Sequence, residues 1–206
     1  MTGLPGALTP TVSSPWWRKL RDFDACPEAV EWAKQYPTFR EAWNACPRGD
    51  WMLWLLSNLD RSVPWSEARK PIVRVALACA KEALPYTTDV RVAACLQTVA
   101  GWLHDCATKD DLEKASVAAW YAARSALNNR ESAAAHAAES AESAARSIVW
   151  ETAHMAARSA ARSFASAVGA ICVIGATGVA ERGMFLCCAD HVRQEFPQPP
   201  VLGKQL

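Results

Sequence analysis

The sequence lacks the features by which several large classes of protein are recognised. Its 206 residues carry a net charge of only +1, whereas proteins that attract nucleic acid electrostatically show a clear basic excess. It contains no glycine-rich phosphate loop, no His-Glu-x-x-His sequence and no nucleophile elbow. The four histidines are dispersed, and no group of residues has the spacing of a catalytic set. We therefore predict a protein that is not an enzyme, uses no cofactor and does not bind nucleic acid.

Targeting segments and metal-binding cysteine pairs are missing as well. The N-terminus has neither the basic region nor the apolar region of a secretory signal. Eight cysteines are present, but there is no Cys-x-x-Cys pair, and most of them lie in apolar helical runs where a thiol packs as a small hydrophobic group. These features predict free thiols in a reducing cytoplasm, and no metal site. Residues 163–180 are uncharged, but their glycines and small polar residues favour a buried helix over a membrane span.

Turn-forming residues and changes in composition divide the chain into segments. Residues 1–15 contain three prolines and two glycines and predict an extended arm. No later segment alternates like a strand, so residues 16–206 are predicted to form a single all-α domain, a bundle-like or orthogonal arrangement of many helices. This domain divides into a tryptophan-rich half, residues 16–107, and an alanine-rich half, residues 108–206.

Local signals mark where several helices begin. Pro27 is placed for a first helical turn, where its missing N–H costs nothing. Thr38 and Glu41 have the spacing of a capping box, and Thr108 precedes acidic residues that suit the first turn of a helix. These positions are predicted helix starts.

The stretch CPRGDWMLWLL, residues 46–56, predicts a tight corner between two helices. A proline and a glycine end the preceding helix, and Asp50 is predicted to cap the next one. Trp51 and Trp54 share one face of that helix and are expected to fill the core. Arg48 is expected to pair with Asp50 or to stack on a tryptophan. A ligand contact made by these four residues is the alternative.

Residues 141–165 repeat with a period of four, which predicts a long, amphipathic Ala/Ser-rich helix. One polar stripe of this helix contains Trp150, His154, Arg158 and Arg162, and neither arginine has an acidic residue four positions away. An aromatic residue followed by potential cations at one-turn spacing predicts a site for a partner or a small anion. A solvated helix face is the alternative. Because alanine faces bury little area, the large core side chains are expected from the tryptophan-rich half.

Several segments together resemble a known family. The segments are ACPEAVEW, FREAWNACPRGDWMLWLL, ACAKEALPY, the Ala/Ser-rich tetrads and CADHVRQEFPQP, which span roughly residues 24–200. They are similar to bacterial and phage immunity proteins, the fifth such family described in polymorphic toxin systems. CPRGDW carries most of the resemblance, whereas FASAVGAICVIGATGVAERGMF departs from it. The resemblance implies an all-helical, non-enzymatic protein that binds and blocks a toxin.

The expected function is therefore stoichiometric binding of a toxin or defence effector in the cytoplasm, as an immunity protein or a phage counter-defence protein. One alternative is the sequestration of a small anionic nucleotide signal by tryptophan and arginine side chains. Another is a structural component of a virion or other assembly, and homo-oligomers are compatible with each.

Overall fold

Every regular element that the computed structural model describes is a helix, in agreement with the predicted fold class. The described residues are 15–60, 62–149, 153–156, 158, 159, 162 and 176–202. The helices are α1 (Arg18–Asp22), α2 (Pro27–Ala33), α3 (Phe39–Ala45), α4 (Gly49–Leu59), α5 (Lys70–Ala83), α6 (Val90–Leu103), α7 (Lys109–Asn128), α8 (Ser132–Arg146) and α9 (Ala176–Glu195), with single 3₁₀ turns at Glu67–Arg69 and Leu84–Tyr86. Residues 153–156, 158, 159 and 162 are also helical and are called the return segment below.

The predicted helix starts are confirmed. α2 begins at Pro27. The hydroxyl of Thr38 accepts a hydrogen bond from the backbone N–H of Glu41 at 3.2 Å, and the Glu41 carboxylate accepts one from the backbone N–H of Thr38 at 3.1 Å. Thr108 and Asp111 make the same reciprocal pair at the start of α7. Each pair satisfies two backbone donors that a helix leaves without partners.

Helix α5 lies at the centre of the packing. It contacts α4, α6, α8 and α9, while α7 packs chiefly on α8 and α6. Val73, Ala76 and Cys79 of α5 have at most a trace of exposed surface. One continuous cluster of buried residues extends from this centre into both halves of the chain, so the described helices form a single domain.

The two halves contribute different side chains to the core. Residues 16–107 bury large side chains, among them Trp43, Leu53 and Trp102. The interface of α7 and α8 is built mostly from alanine, with buried residues Ala119, Ala122, Ala123, Ala126, Ala135, Ala137, Ala138, Ala141, Ala144 and Ala145. Among the described residues, the expectation that the tryptophan-rich half supplies most of the large core side chains is confirmed.

The long Ala/Ser-rich helix predicted for residues 141–165 was wrong. α8 ends at Arg146 and is followed by a turn at 147–149. The hydroxyl of Ser140 donates a hydrogen bond to the carbonyl oxygen of Ala156 at 2.7 Å. In a continuous helix these residues would be about 24 Å apart. The chain therefore reverses, and the return segment packs back against α8.

The C-terminal end of the described chain holds the N-terminal helices in place. The indole of Trp43 donates to the carbonyl oxygen of Phe196 at 3.2 Å, and Lys19 donates to that of Leu202 at 2.8 Å. Arg193 of α9 donates to the carbonyl oxygen of Cys46 at 2.8 Å, just before α4 begins. These bonds fix the corner of residues 46–56 against α9.

Other sequence predictions concern segments that fall partly outside the described residues. Residues 1–14 of the predicted arm lie outside them, as do residues 163–175 of the uncharged stretch. In the described part of the chain, no helix is both long enough and apolar enough to cross a bilayer. The seven cysteines within that part are free thiols, as predicted, and Cys172 lies outside it.

Candidate functional site

The corner before α4 is built around a buried ion pair. The guanidinium of Arg48 donates from Nε to Oδ1 and from Nη2 to Oδ2 of Asp50, both at 2.8 Å. The side chain of Asp50 is only 4% exposed. Asp50 was predicted to cap α4, and this was wrong: the helix begins at Gly49, its N-cap residue is Arg48, and no side chain caps it. Both carboxylate oxygens of Asp50 are occupied by the guanidinium group instead.

Arg48 is also held between two aromatic rings. Its guanidinium carbon lies 4.5 Å from the ring centroid of Trp51 and 4.2 Å from that of Phe185. Burial acts to lower the pKa of Arg48, but the hydrogen bonds and charge of Asp50 outweigh burial and raise it. Arg48 is therefore a permanent, rigidly placed cation, and both predicted interactions, the ion pair and the stacking on tryptophan, are confirmed.

An open cleft of about 450 Å³ begins at this ion pair. It lies between α2, the corner, α4, the return segment and α9. Its lining residues are Glu28, Trp32, Pro47, Arg48, Trp51, Arg158, Arg162, Gly178, Glu181, Arg182 and Phe185. Four arginines and two glutamates give this lining a net charge of +2, on a chain whose total is only +1.

Two groups of residues that the sequence suggested separately meet in this cleft. Arg158 and Arg162 of the return segment face Arg48 and Trp51 of the corner across it. Nε of Arg158 lies 3.9 Å from Oδ2 of Asp50. The buried carboxylate of Asp50 therefore contacts an arginine of the return segment as well as Arg48 of the corner. The chain reversal after α8 makes this possible, because it turns the second half of the polar stripe toward the corner.

Three predicted site residues remain, and the structure describes two of them. Trp150 is outside the described residues. His154 is half-buried and is not among the lining residues of the cleft. Trp54 is half-buried against the core and lines a small apolar cavity of about 60 Å³ under α1–α4, which supports its structural interpretation. Of the predicted stripe, the structure therefore places Arg158 and Arg162 in the cleft.

Seven of the eleven lining residues were not among the predicted site residues, and three of the seven supply aromatic or cationic side chains. Trp32 comes from α2, with its ring centroid 6.0 Å from that of Trp51. Arg182 and Phe185 come from α9, one helical turn apart. Their i, i+3 spacing places them on one face of α9, but nothing in the local sequence indicates which helix that face meets.

The four arginines of the cleft differ in whether their guanidinium groups form hydrogen bonds. Arg48 is bound by Asp50. Among the described residues, the side chains of Arg158, Arg162 and Arg182 form no hydrogen bond, and all three are exposed. Each guanidinium offers a planar set of donors that matches a phosphate or a carboxylate. The cleft therefore combines fixed aromatic surface with three exposed guanidinium groups, of which that of Arg158 also lies 3.9 Å from the Asp50 carboxylate.

Comparisons of this chain with protein-family models, with curated proteins and with solved structures find no match. The similarity to immunity proteins, carried by CPRGDW and its flanking segments, thus stays an expectation.

Proposed function

We propose that this protein is a non-enzymatic binding protein that captures a nucleotide-like small molecule in the cleft. One observation carries the proposal. The guanidinium groups of Arg158, Arg162 and Arg182 face the same cleft as the half-buried rings of Trp32 and Trp51. A ligand that bears both negative charge and an aromatic ring uses both kinds of surface.

The two surfaces suit the two parts of a nucleotide. Guanidinium groups bind phosphate through paired, charge-assisted hydrogen bonds. Tryptophan rings stack on nucleobases, and such stacking contributes about 1–3 kcal/mol per base. A volume of about 450 Å³ falls within the usual range of small-molecule sites, about 300–1,000 Å³. Because the chain is almost neutral, this local charge is what attracts an anion.

Binding is favoured over turnover by the chemistry of the lining. Among the described residues that line the cleft there is no thiol, hydroxyl or imidazole side chain to act as a nucleophile. The carboxylates of Glu28 and Glu181 share the lining with four guanidinium groups. A stoichiometric binding protein needs only the affinity that these groups provide.

Isothermal titration calorimetry with cyclic nucleotides and ADP-ribose derivatives tests the proposal. We expect one ligand to bind per chain, and we expect the double variant R158E/R162E to bind at least tenfold more weakly, about 1.4 kcal/mol. The control is R40E/K114E, which makes the same change in charge at two exposed positions outside the cleft. No binding by any ligand of the panel, or equal loss in both double variants, would contradict the proposal.

A second function, neutralisation of a protein toxin, is favoured by a different surface. On α7, Val117, Trp120 and Tyr121 are 54%, 40% and 56% exposed. Arg124 lies over the ring of Trp120 at 5.1 Å, so the four residues share one face at helical spacing. Exposed tryptophan, tyrosine and arginine are the residues that dominate the energetics of protein interfaces.

This second function is tested by co-expression with a toxin encoded beside the gene. We expect the wild-type protein to protect the cell, the variant W120A/Y121A to fail, and R158E/R162E to protect fully. If the cleft variant fails and the α7 variant protects, α7 is not the neutralising surface. Protection by both variants would contradict both surfaces as toxin contacts.

A further inference from the structure

Three side chains with metal-binding chemistry meet on the side of α9 that packs on α5. Glu82 lies in the last turn of α5, and Cys187 and His191 lie one turn apart on α9. Their ligand atoms, a carboxylate oxygen, Sγ and an imidazole nitrogen, all lie within 4.8 Å of one another. None of the three lines the cleft, so this cluster is separate from the proposed ligand site.

The distances match the edges of a metal coordination shell. Nε2 of His191 is 3.0 Å from Oε1 of Glu82 and 3.8 Å from Sγ of Cys187. With the usual Zn–S, Zn–N and Zn–O bond lengths, the ligand atoms of a tetrahedral site are about 3.3–3.6 Å apart. The two distances from His191 are therefore within a few tenths of an ångström of these values, and the third, between Glu82 and Cys187, is at most 4.8 Å.

From this geometry we propose that Glu82, Cys187 and His191 form a binding site for Zn²⁺. Carboxylate, thiolate and imidazole are the three side-chain ligand types that Zn²⁺ uses in proteins. Two anionic ligands and one neutral ligand balance the charge of the ion. The site supplies three protein ligands, and the partial exposure of all three leaves the fourth position to water.

In the metal-free protein Cys187 carries a thiol that metal binding has to deprotonate. The charges of Glu82 and Asp190 act on the Cys187 thiol, and both are negative. Together with burial, which is the largest cause, they raise the pKa of Cys187 to about 11. A bound Zn²⁺ reverses this balance: the thiol releases its proton to solvent and the sulfur binds as thiolate.

The same three residue types could instead form a catalytic triad, but the geometry does not favour it. In a triad the nucleophile and the orienting carboxylate contact opposite nitrogens of the imidazole. Here Cys187 and Glu82 both approach Nε2 of His191. A catalytic thiol also requires a lowered pKa, whereas the pKa of Cys187 is raised. Convergence on one point is what a metal ion requires.

The helices that carry the ligands are firmly packed. α5 and α9 pack against each other, and Cys188, next to Cys187, is fully buried beside Cys79 of α5. A metal site on packed helices keeps its geometry before the ion arrives.

Titration of the tag-free protein with ZnCl₂, followed by calorimetry and native mass spectrometry, tests the site. We expect one Zn²⁺ per chain and at least tenfold weaker binding in C187S, H191A and E82Q. Two controls are matched: C106S removes an exposed thiol, and H136A removes a histidine that also pairs with a glutamate at 3.0 Å. Both are expected to bind Zn²⁺ as the wild type does.

A second measurement does not depend on the folding of the variants. In wild-type protein, Co²⁺ is expected to give a sulfur-to-cobalt charge-transfer band in the near ultraviolet. Zn²⁺ is expected to slow the alkylation of Cys187, mapped by peptide mass spectrometry, and to leave Cys26 and Cys106 unchanged. No Zn²⁺ binding by the wild type, or binding that C187S and H191A leave intact, would overturn the proposal. So would equal protection of all three thiols.

Discussion

The guanidinium nitrogen Nε of Arg158 lies 3.9 Å from Oδ2 of Asp50, which joins the return segment to the first turn of α4. The same carboxylate accepts two hydrogen bonds from Arg48. One buried acid thus faces two arginines that line the cleft. It holds positive charge at the cleft surface while remaining out of contact with solvent.

Asp50→Asn is expected to destabilise the protein by about 3 kcal/mol. The substitution keeps the size of the side chain but leaves Arg48 half-buried without its counter-charge, and breaking such a pair is costly. Glu31→Gln, which breaks the exposed pair with Lys34, is expected to cost less than about 1 kcal/mol. Urea unfolding followed by circular dichroism measures both. Equal costs would show that Asp50 has no special role.

The correct predictions from the sequence concern features that depend on neighbouring residues. The capping box at Thr38, the helix cap at Thr108 and the pairing of Arg48 with Asp50 each involve residues at most three positions apart. At that range the backbone geometry follows from the residue types alone. The all-α fold follows in the same way, from helical spacing along the whole chain.

The wrong prediction of a long helix over residues 141–165 depended on where the chain turns. The period of four continues through residues 147–149, and this turn contains neither glycine nor proline, so the sequence does not mark it. Arg158 reaches the cleft because of that reversal, and Arg182 reaches it because of how α9 packs. Likewise, Glu82 approaches Cys187 and His191 only because α5 and α9 pack together. Such contacts between distant segments leave no local pattern.

Gly49→Ala is expected to destabilise the protein by about 1–3 kcal/mol. An added Cβ at Gly49 would lie 2.5 Å from Cβ of Cys188 and 2.6 Å from the backbone nitrogen of Ala189, so α4 and α9 would have to separate. Gly183→Ala is the control, because a Cβ there meets nothing within 4 Å. In the interior of α9 that change is expected to stabilise by about 0.5–1 kcal/mol. Thermal and urea unfolding give both values, and two changes of the same sign would contradict this account of the α4–α9 contact.

The thiols are expected to react in the order of their burial. Cys26 and Cys106 are exposed, whereas burial raises the pKa of Cys46 to about 11 and that of Cys95 to about 12. At pH 8 the buried thiols are therefore both protonated and inaccessible, and we expect them to be alkylated only after unfolding. Timed alkylation with peptide mapping measures the order. Reductant is expected to leave the melting temperature unchanged, and a lower melting temperature would reveal a structural disulfide.

Two arginines of α9 are expected to separate ligand binding from stability. Arg193 donates hydrogen bonds to the carbonyl oxygen of Cys46 and to Asp190, so Arg193→Ala is expected to cost about 1–3 kcal/mol of unfolding free energy. Arg182 lines the cleft and forms no hydrogen bond among the described residues. Arg182→Ala is therefore expected to change stability by less than about 0.5 kcal/mol.

The same two variants have opposite expected effects on the nucleotide that binds wild-type protein. Loss of Arg182 removes a cation from the cleft and is expected to weaken binding about tenfold, or about 1.4 kcal/mol. Arg193 lies outside the lining, so Arg193→Ala is expected to bind normally at temperatures where it remains folded. Calorimetry below the melting temperature of both variants measures the difference. If Arg182→Ala binds as the wild type does, Arg182 contributes nothing to ligand recognition. The cations that bind the ligand would then be those of the corner and the return segment.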